Sequence, residues 1–141
     1  MISKWWKVKW DWQSPPVEEK SAAKSQREFE IEFFEGIIAR QKDYWEVLSV
    51  LGNHYTSVRR YREGLAVDRR LAHLRPYDAI VYYNLACSYC LVGRLIPALE
   101  ALEKALSLGY RDFVHIMRDS DLTRLRKDKR FRELLSRYVR V

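Results

Sequence analysis

The strongest constraint on this 141-residue chain is that it repeats itself. Sliding residues 45–76 onto residues 79–110, an offset of 34, brings Leu48 onto Tyr82, Leu51 onto Leu85, Gly52 onto Ala86 and Tyr55 onto Tyr89. Further along, Gly64 meets Ala98, Leu65 meets Leu99, Leu74 meets Leu108 and Pro76 meets Tyr110. Large apolar residues fall on large ones, and small on small. A fixed period of this length marks a chain built of stacked supersecondary units, each burying its apolar face against the next.

Each unit reads as two helices. Residues 44–57 place Leu48, Leu51, Gly52 and Tyr55 on one helical face, and residues 61–74 turn Leu65, Ala66, Leu71, Ala72 and Leu74 inward. The pattern predicts the same pair at 78–91 and 95–108. Gly93 suits the left-handed residue that ends a helix, and Pro97 falls in a first turn, where its missing N–H costs nothing. Five glycines and four prolines are few, which favours long helices over a turn-rich β fold. Small residues at 52, 64, 86 and 98 allow close helix crossing.

The period, the two helices per unit and the residue order resemble the tetratricopeptide repeat, whose signature runs aromatic, leucine-glycine, tyrosine, alanine, aromatic and proline. The first unit matches with Leu48, Leu51-Gly52, Tyr55, Gly64 and Pro76, and the second with Tyr82, Leu85-Ala86, Tyr89, Ala98 and Leu102. Leu48 replaces the tryptophan, Asp68 the later aromatic, and Tyr110 the usual proline. The stretch from Gly109-Tyr110-Arg111-Asp112-Phe113 to Arg130-Phe131 looks like the closing segment of many bacterial members. The resemblance implies an all-α, right-handed superhelix of antiparallel helix pairs that binds another protein as an adaptor or scaffold, without cofactor or small-molecule substrate.

Two repeats bury too little alone, so the flanks are expected to be degenerate or capping units. The chain divides into an N-terminal arm (1–16), a flanking helix (17–42), two repeats (43–76 and 77–110) and a degenerate cap (111–141). Upstream, Phe29, Phe33, Phe34, Ile37 and Ile38 fit a helix packed on the first repeat. Downstream, helices are expected at 112–117 and 129–139, with an N-cap turn at Asp119-Ser120-Asp121-Leu122.

In the implied superhelix, the first helix of each pair lines a concave groove. Its groove stripe is Ser49, Val50, Asn53, Thr56 and Ser57 in one repeat, and Tyr83, Asn84, Cys87, Cys90 and Leu91 in the next. These residues are uncharged, which suits a peptide or helix laid along them, with asparagines bonding its backbone. One subclass of the family grips a terminal carboxylate with two lysines, two asparagines and an arginine. Asn53 and Asn84 fall on the asparagine positions and Arg118 near the arginine, whereas Ser49 and Val114 hold the lysine positions. The chain's own flank is an alternative occupant of the groove.

No catalytic constellation is legible. A Gly-rich phosphate loop, a zinc-protease motif and a serine elbow are missing, and His54, His73 and His115 are scattered. The pair Cys87 and Cys90 forms a CxxC, but mid-helix, away from the N-terminal dipole that activates a thiol, and without further ligands to complete a zinc site. No metal is expected.

The arm carries Trp5, Trp6, Trp10 and Trp12 among Lys4, Lys7 and Lys9. Three readings stand for it: packing on its own domain, contact with a partner, or an interfacial membrane contact. Of the net charge of +7, +5 falls in residues 111–141. This basic cap, or the arm, offers the alternative function of binding nucleic acid or an anionic membrane surface. Aromatic residues do not interleave with the charges of residues 118–132 as single-strand binding prefers, and interspersed aspartates fit a solvated helix face. With no secretory pattern, no apolar span and two cysteines, the expected setting is the cytoplasm. Self-association through exposed tryptophans remains open.

Overall fold

The computed structural model describes residues 17–139, with side chains from residue 26 onward; the tryptophans of the arm, Trp5, Trp6, Trp10 and Trp12, lie outside these. Among the described residues the chain is helical throughout: α1 (Val17–Arg40), α2 (Trp45–Ser57), α3 (Tyr61–Leu74), α4 (Ala79–Leu91), α5 (Leu95–Ser107), α6 (Phe113–Arg118), α7 (Thr123–Arg126) and α8 (Lys129–Tyr138). A 3₁₀ turn, Ser120–Leu122, joins α6 to α7. Helices α1 to α4 each pack on the next in the chain, α5 meets α7 and α8, and α4 also meets the 3₁₀ turn and α7. Such neighbour-to-neighbour stacking is the logic of a solenoid. No helix is long and apolar enough to cross a membrane among the described residues.

The repeat is written into the burial pattern. In α3 the buried residues are Gly64, Leu65, Val67, Asp68, Leu71 and Ala72. In α5 they are Ala98, Ala101, Leu102, Ala105 and Leu106, the same positions one period on except Leu99, the counterpart of Leu65, which is half-buried. Small side chains sit where helices cross: Ala86 and Ala98 are fully buried. At the matching Gly52, a Cβ would lie 3.2 Å from an Asp68 carboxylate oxygen and 3.3 Å from Val67 Cγ1. That is tighter than ordinary contact, so α2 and α3 approach there because the side chain is absent.

Two expectations about facing residues need correction. The sequence pattern turns Ala66 inward, but it is exposed, because the buried stripe of α3 runs through Val67 and Asp68 on the opposite side. In α1, Ile31 is buried and Phe34 and Ile38 pack on the core, whereas Phe29 and Phe33 are 64% and 57% exposed. Five apolar residues in ten cover more than one face of a helix, and only one face meets α2.

Helices α2, α4 and α5 end alike. At each, the residue after the left-handed position bonds back five residues: Arg60 N to Tyr55 O (2.8 Å), Arg94 N to Tyr89 O (2.9 Å), and Tyr110 N to Ala105 O (3.0 Å). The companion bond closes over three residues, which makes each end a Schellman motif. The motif needs a left-handed residue, supplied by Gly93 (φ 80°) and Gly109 (φ 106°), but by Arg59 (φ 63°) after α2. A side chain there costs about 1 kcal/mol or more. Arg59→Gly is therefore expected to stabilise the chain by about 1 kcal/mol, read as a higher urea midpoint at unchanged slope; an unchanged or lower midpoint contradicts this account of the turn.

Candidate functional site

The stripe expected to line the groove is open over one repeat and closed over the next. On α2, Val50, Asn53 and Ser57 are exposed and Ser49 and Thr56 half-buried. On α4, Asn84 and Leu91 are half-buried, but Tyr83, Cys87 and Cys90 are buried. The cover is the chain's own closing segment. The Tyr83 ring stacks on Tyr110, with centroids 4.4 Å apart and planes 3° apart, and His115 tilts against it at 5.5 Å. Cys90 lies beneath the α7 backbone at Arg124 and Leu125, so its thiol is core and reaches no partner.

A single carboxylate organises this cover. Tyr83 Oη donates to Asp119 Oδ2 at 2.6 Å, the Cys87 thiol donates to the same oxygen at 3.7 Å, and His115 Nε2 lies 3.3 Å from it. The other oxygen accepts the Asp121 N–H at 3.0 Å and caps the 3₁₀ turn. From behind, the Arg126 guanidinium donates to the carbonyls of Ile116 and Asp119. Burial and the neighbouring Cys87 and Asp119 push the Tyr83 hydroxyl far above its ordinary range. Burial, then the Asp119 charge, push the Cys87 thiol up as well. A thiol held protonated and pointed at a carboxylate is the reverse of an activated nucleophile, which needs a base on its sulfur and a lowered pKa.

Between the closing segment and the open part of α2 lies a cleft of about 270 Å³. Asn53, Thr56 and Asn84 offer neutral hydrogen-bonding groups in its walls, and Asp68, Asp119 and Asp121 offer carboxylates. No lysine or arginine lines it among the described residues. Asp68 is the deepest of the acids, 7% exposed, and accepts a hydrogen bond from Ser88 Oγ. Burial raises its pKa from 3.8 to about 6, against the Ser88 bond, which lowers it. Burial and the Asp119 charge raise Asp121 too. Cys87, Asp119 and Asp121 bring one ligand atom each within 4.8 Å of one another, but a protonated thiol and an Asp119 carboxylate already shared with Tyr83 and His115 make a poor donor set for a metal ion. A larger hollow of about 570 Å³ beside the α3–α4 turn offers only Arg75 and Asp78, which already pair at 3.0 Å.

Of the candidate residues read from the sequence, Asn53, Thr56, Tyr83, Asn84 and Cys87 come together around this cleft. Ser49 stands further along α2, and Arg118 is exposed on α6, outside the cleft.

The helix stacking decides the fold. The backbone superposes on MamA from Desulfovibrio magneticus RS-1 (residues 41 to the end) with a TM-score of 0.65 at 19% identity, covering 83% of this chain and 67% of that one. A MamA RS-1 double mutant gives 0.58 at 19% identity over 85% and 72%. The fold is that of the tetratricopeptide repeat. No family model matches the sequence. In sequence, the chain is 34% identical over 102 residues to a chloroplastic protein of Arabidopsis thaliana, covering 70% of this chain and 29% of that protein. The chain thus matches less than a third of that relative's length.

Within this tetratricopeptide-repeat frame, sequence reasoning missed Asp68, Ser88, His115, Asp119 and Asp121 as site residues. Asp68 did leave a signal, a charge where the repeat pattern calls for a core aromatic. Asp119 and Asp121 read only as a capping turn, because nothing local announces that this turn folds back 36 residues onto Tyr83.

The buried acid sets a pH dependence. The unfolded chain releases the Asp68 proton near 3.8, whereas the folded chain holds it to about 6. Its contribution to stability is therefore full below the unfolded value and lost as pH rises through the folded one. Relative to wild type, Asp68→Asn is expected to be more stable at pH 7.5 than at pH 4.5 by about 2 kcal/mol, measured by paired urea melts; a difference that is absent or reversed contradicts the placement of this acid.

Proposed function

We propose that this chain is a non-catalytic interaction module that holds a segment of a partner protein in the groove, along the exposed stripe of α2 and into the cleft against Asn84. What carries the reading is the combination of the fold with that stripe. Val50, Asn53 and Ser57 stand exposed on a rigid helix, with Asn84 half-buried opposite them. Paired amides at this spacing suit an extended backbone, which presents donors and acceptors in alternation. The Cys87 and Cys90 thiols, both raised by burial, offer no chemistry to set against it.

The arm of residues 1–16 belongs to the proposal as a second contact, since its tryptophans are strong interface anchors. Binding of nucleic acid or a membrane through the basic cap has less behind it. Arg126 serves the closing turn, Arg130 pairs with Asp128 at 2.7 Å, and Arg137 pairs with Glu103 at 3.2 Å. An aqueous, reducing compartment suits the two free buried cysteines, with the cytoplasm the simplest assignment beside the chloroplastic label of the Arabidopsis relative.

Tyr83 is a poor probe of binding because its loss loosens the closing segment; Asn53 and Asn84 are clean ones. Affinity purification of the tagged chain is expected to recover a specific protein, with recovery falling about fivefold or more for Asn53→Ala with Asn84→Ala at an unchanged thermal melt. Recovery of nothing specific, or equal recovery from the double variant and from a chain lacking residues 1–16, contradicts the proposal.

A further inference from the structure

The chain as a whole is basic, with 26 lysines and arginines against 19 acids. The cleft inverts that balance, with Asp68, Asp119 and Asp121 in its walls and no lysine or arginine among the described residues. Asp68 makes the inversion costly. It is more than nine-tenths buried, Ser88 occupies one oxygen, and the other accepts no hydrogen bond from the described residues and lies against Gly52, which lines the cleft with it. A buried carboxylate without a cation is expensive to keep ionised. A cationic ligand would offset that expense.

We infer that the cleft is a receptor for a basic side chain of the partner protein, with arginine the best fit. The guanidinium is a planar fork of five donors and answers neighbouring carboxylates two bonds at a time. The carboxylates of Asp119 and Asp121 bring oxygens within 4.8 Å of each other in the cleft wall, and the buried Asp68 adds a third. The neutral groups Asn53, Thr56 and Asn84 are left to the backbone on either side. About 270 Å³ is the share of roughly nine waters, room for one long side chain. The selectivity is opposite to that of the carboxylate-gripping subclass, whose lysine positions here hold Ser49 and Val114. An acidic tail would meet three like charges.

The inference rests on the interaction reading above, and its test separates the two. Amide spectra of the ¹⁵N-labelled full chain at pH 7.5 are recorded against a capped pentapeptide with one central arginine, and against the same peptide with glutamate in its place. The arginine peptide is expected to shift the amides of Asn53, Asn84, Leu91, His115 and Asp121 in a saturable way, and the glutamate peptide to leave them unmoved. Asp121→Asn, at a half-buried position of the lining, is expected to weaken the arginine peptide about fivefold. Asp68→Asn, which keeps an acceptor for Ser88, is expected to weaken it more. Equal response to both peptides, no saturable shift, or affinity untouched by both variants overturns the inference. So does saturation of the same amides by calcium or zinc alone at micromolar concentration, which would assign the cleft to a metal. A chain that captures its partner yet ignores the arginine peptide loses this inference and keeps the interaction function.

Discussion

Beyond its first turn helix α4 is enclosed on nearly every side, and the rest of the structure follows from that. It packs against α3 and α5 on one side and against the 3₁₀ turn and α7 on the other. Its sequence, AIVYYNLACSYCL, carries no charge. A helix with no polar face must be enclosed. An open solenoid groove leaves one stripe of such a helix in water, and here the closing segment removes most of it. The segment is held by directional contacts: the Tyr83–Tyr110 stack, the Tyr83–Asp119 hydrogen bond and the Arg126 grip on two carbonyls.

Closing the groove over α4 changes what remains of it. Three acids gather in the short cleft left between the closing segment and α2, one of them nearly buried at the position where the repeat usually packs an aromatic ring. Gly52 and Asp68 belong together in this respect, because the missing Cβ leaves space for the carboxylate 3.2 Å away. In the second repeat the same two positions are Ala86 and Leu102, both fully buried, and the site is ordinary core. One repeat is built for packing and the other carries the departure from it.

The helices and their stacking were legible because the 34-residue period and the 3.6-residue periodicity both report burial of local faces. Limits agree with the structure to within about a residue for α2 to α5, where caps such as Asp78, which accepts from Ile80 N and Val81 N, set the ends. The site was only half legible. Asn53, Thr56 and Asn84, named from their register on the groove stripe, do line the cleft. The uncharged stripe of Tyr83, Cys87 and Cys90, read as a surface for a peptide or for the chain's own flank, is buried under that flank. The missing charges meant enclosure, and what enclosed them is a contact across 36 residues that no local pattern encodes.

Asp119 latches the closing segment onto α4 and so shapes the cleft. Hydrogen exchange by mass spectrometry on wild type and Asp119→Ala tests it most directly. Amides of residues 113–122 are expected to exchange at least about tenfold faster in the variant, the loss of roughly one charged hydrogen bond, while α2, α3 and α5 keep their protection. Unchanged exchange in residues 113–122, or a uniform rise across the whole chain, would contradict it.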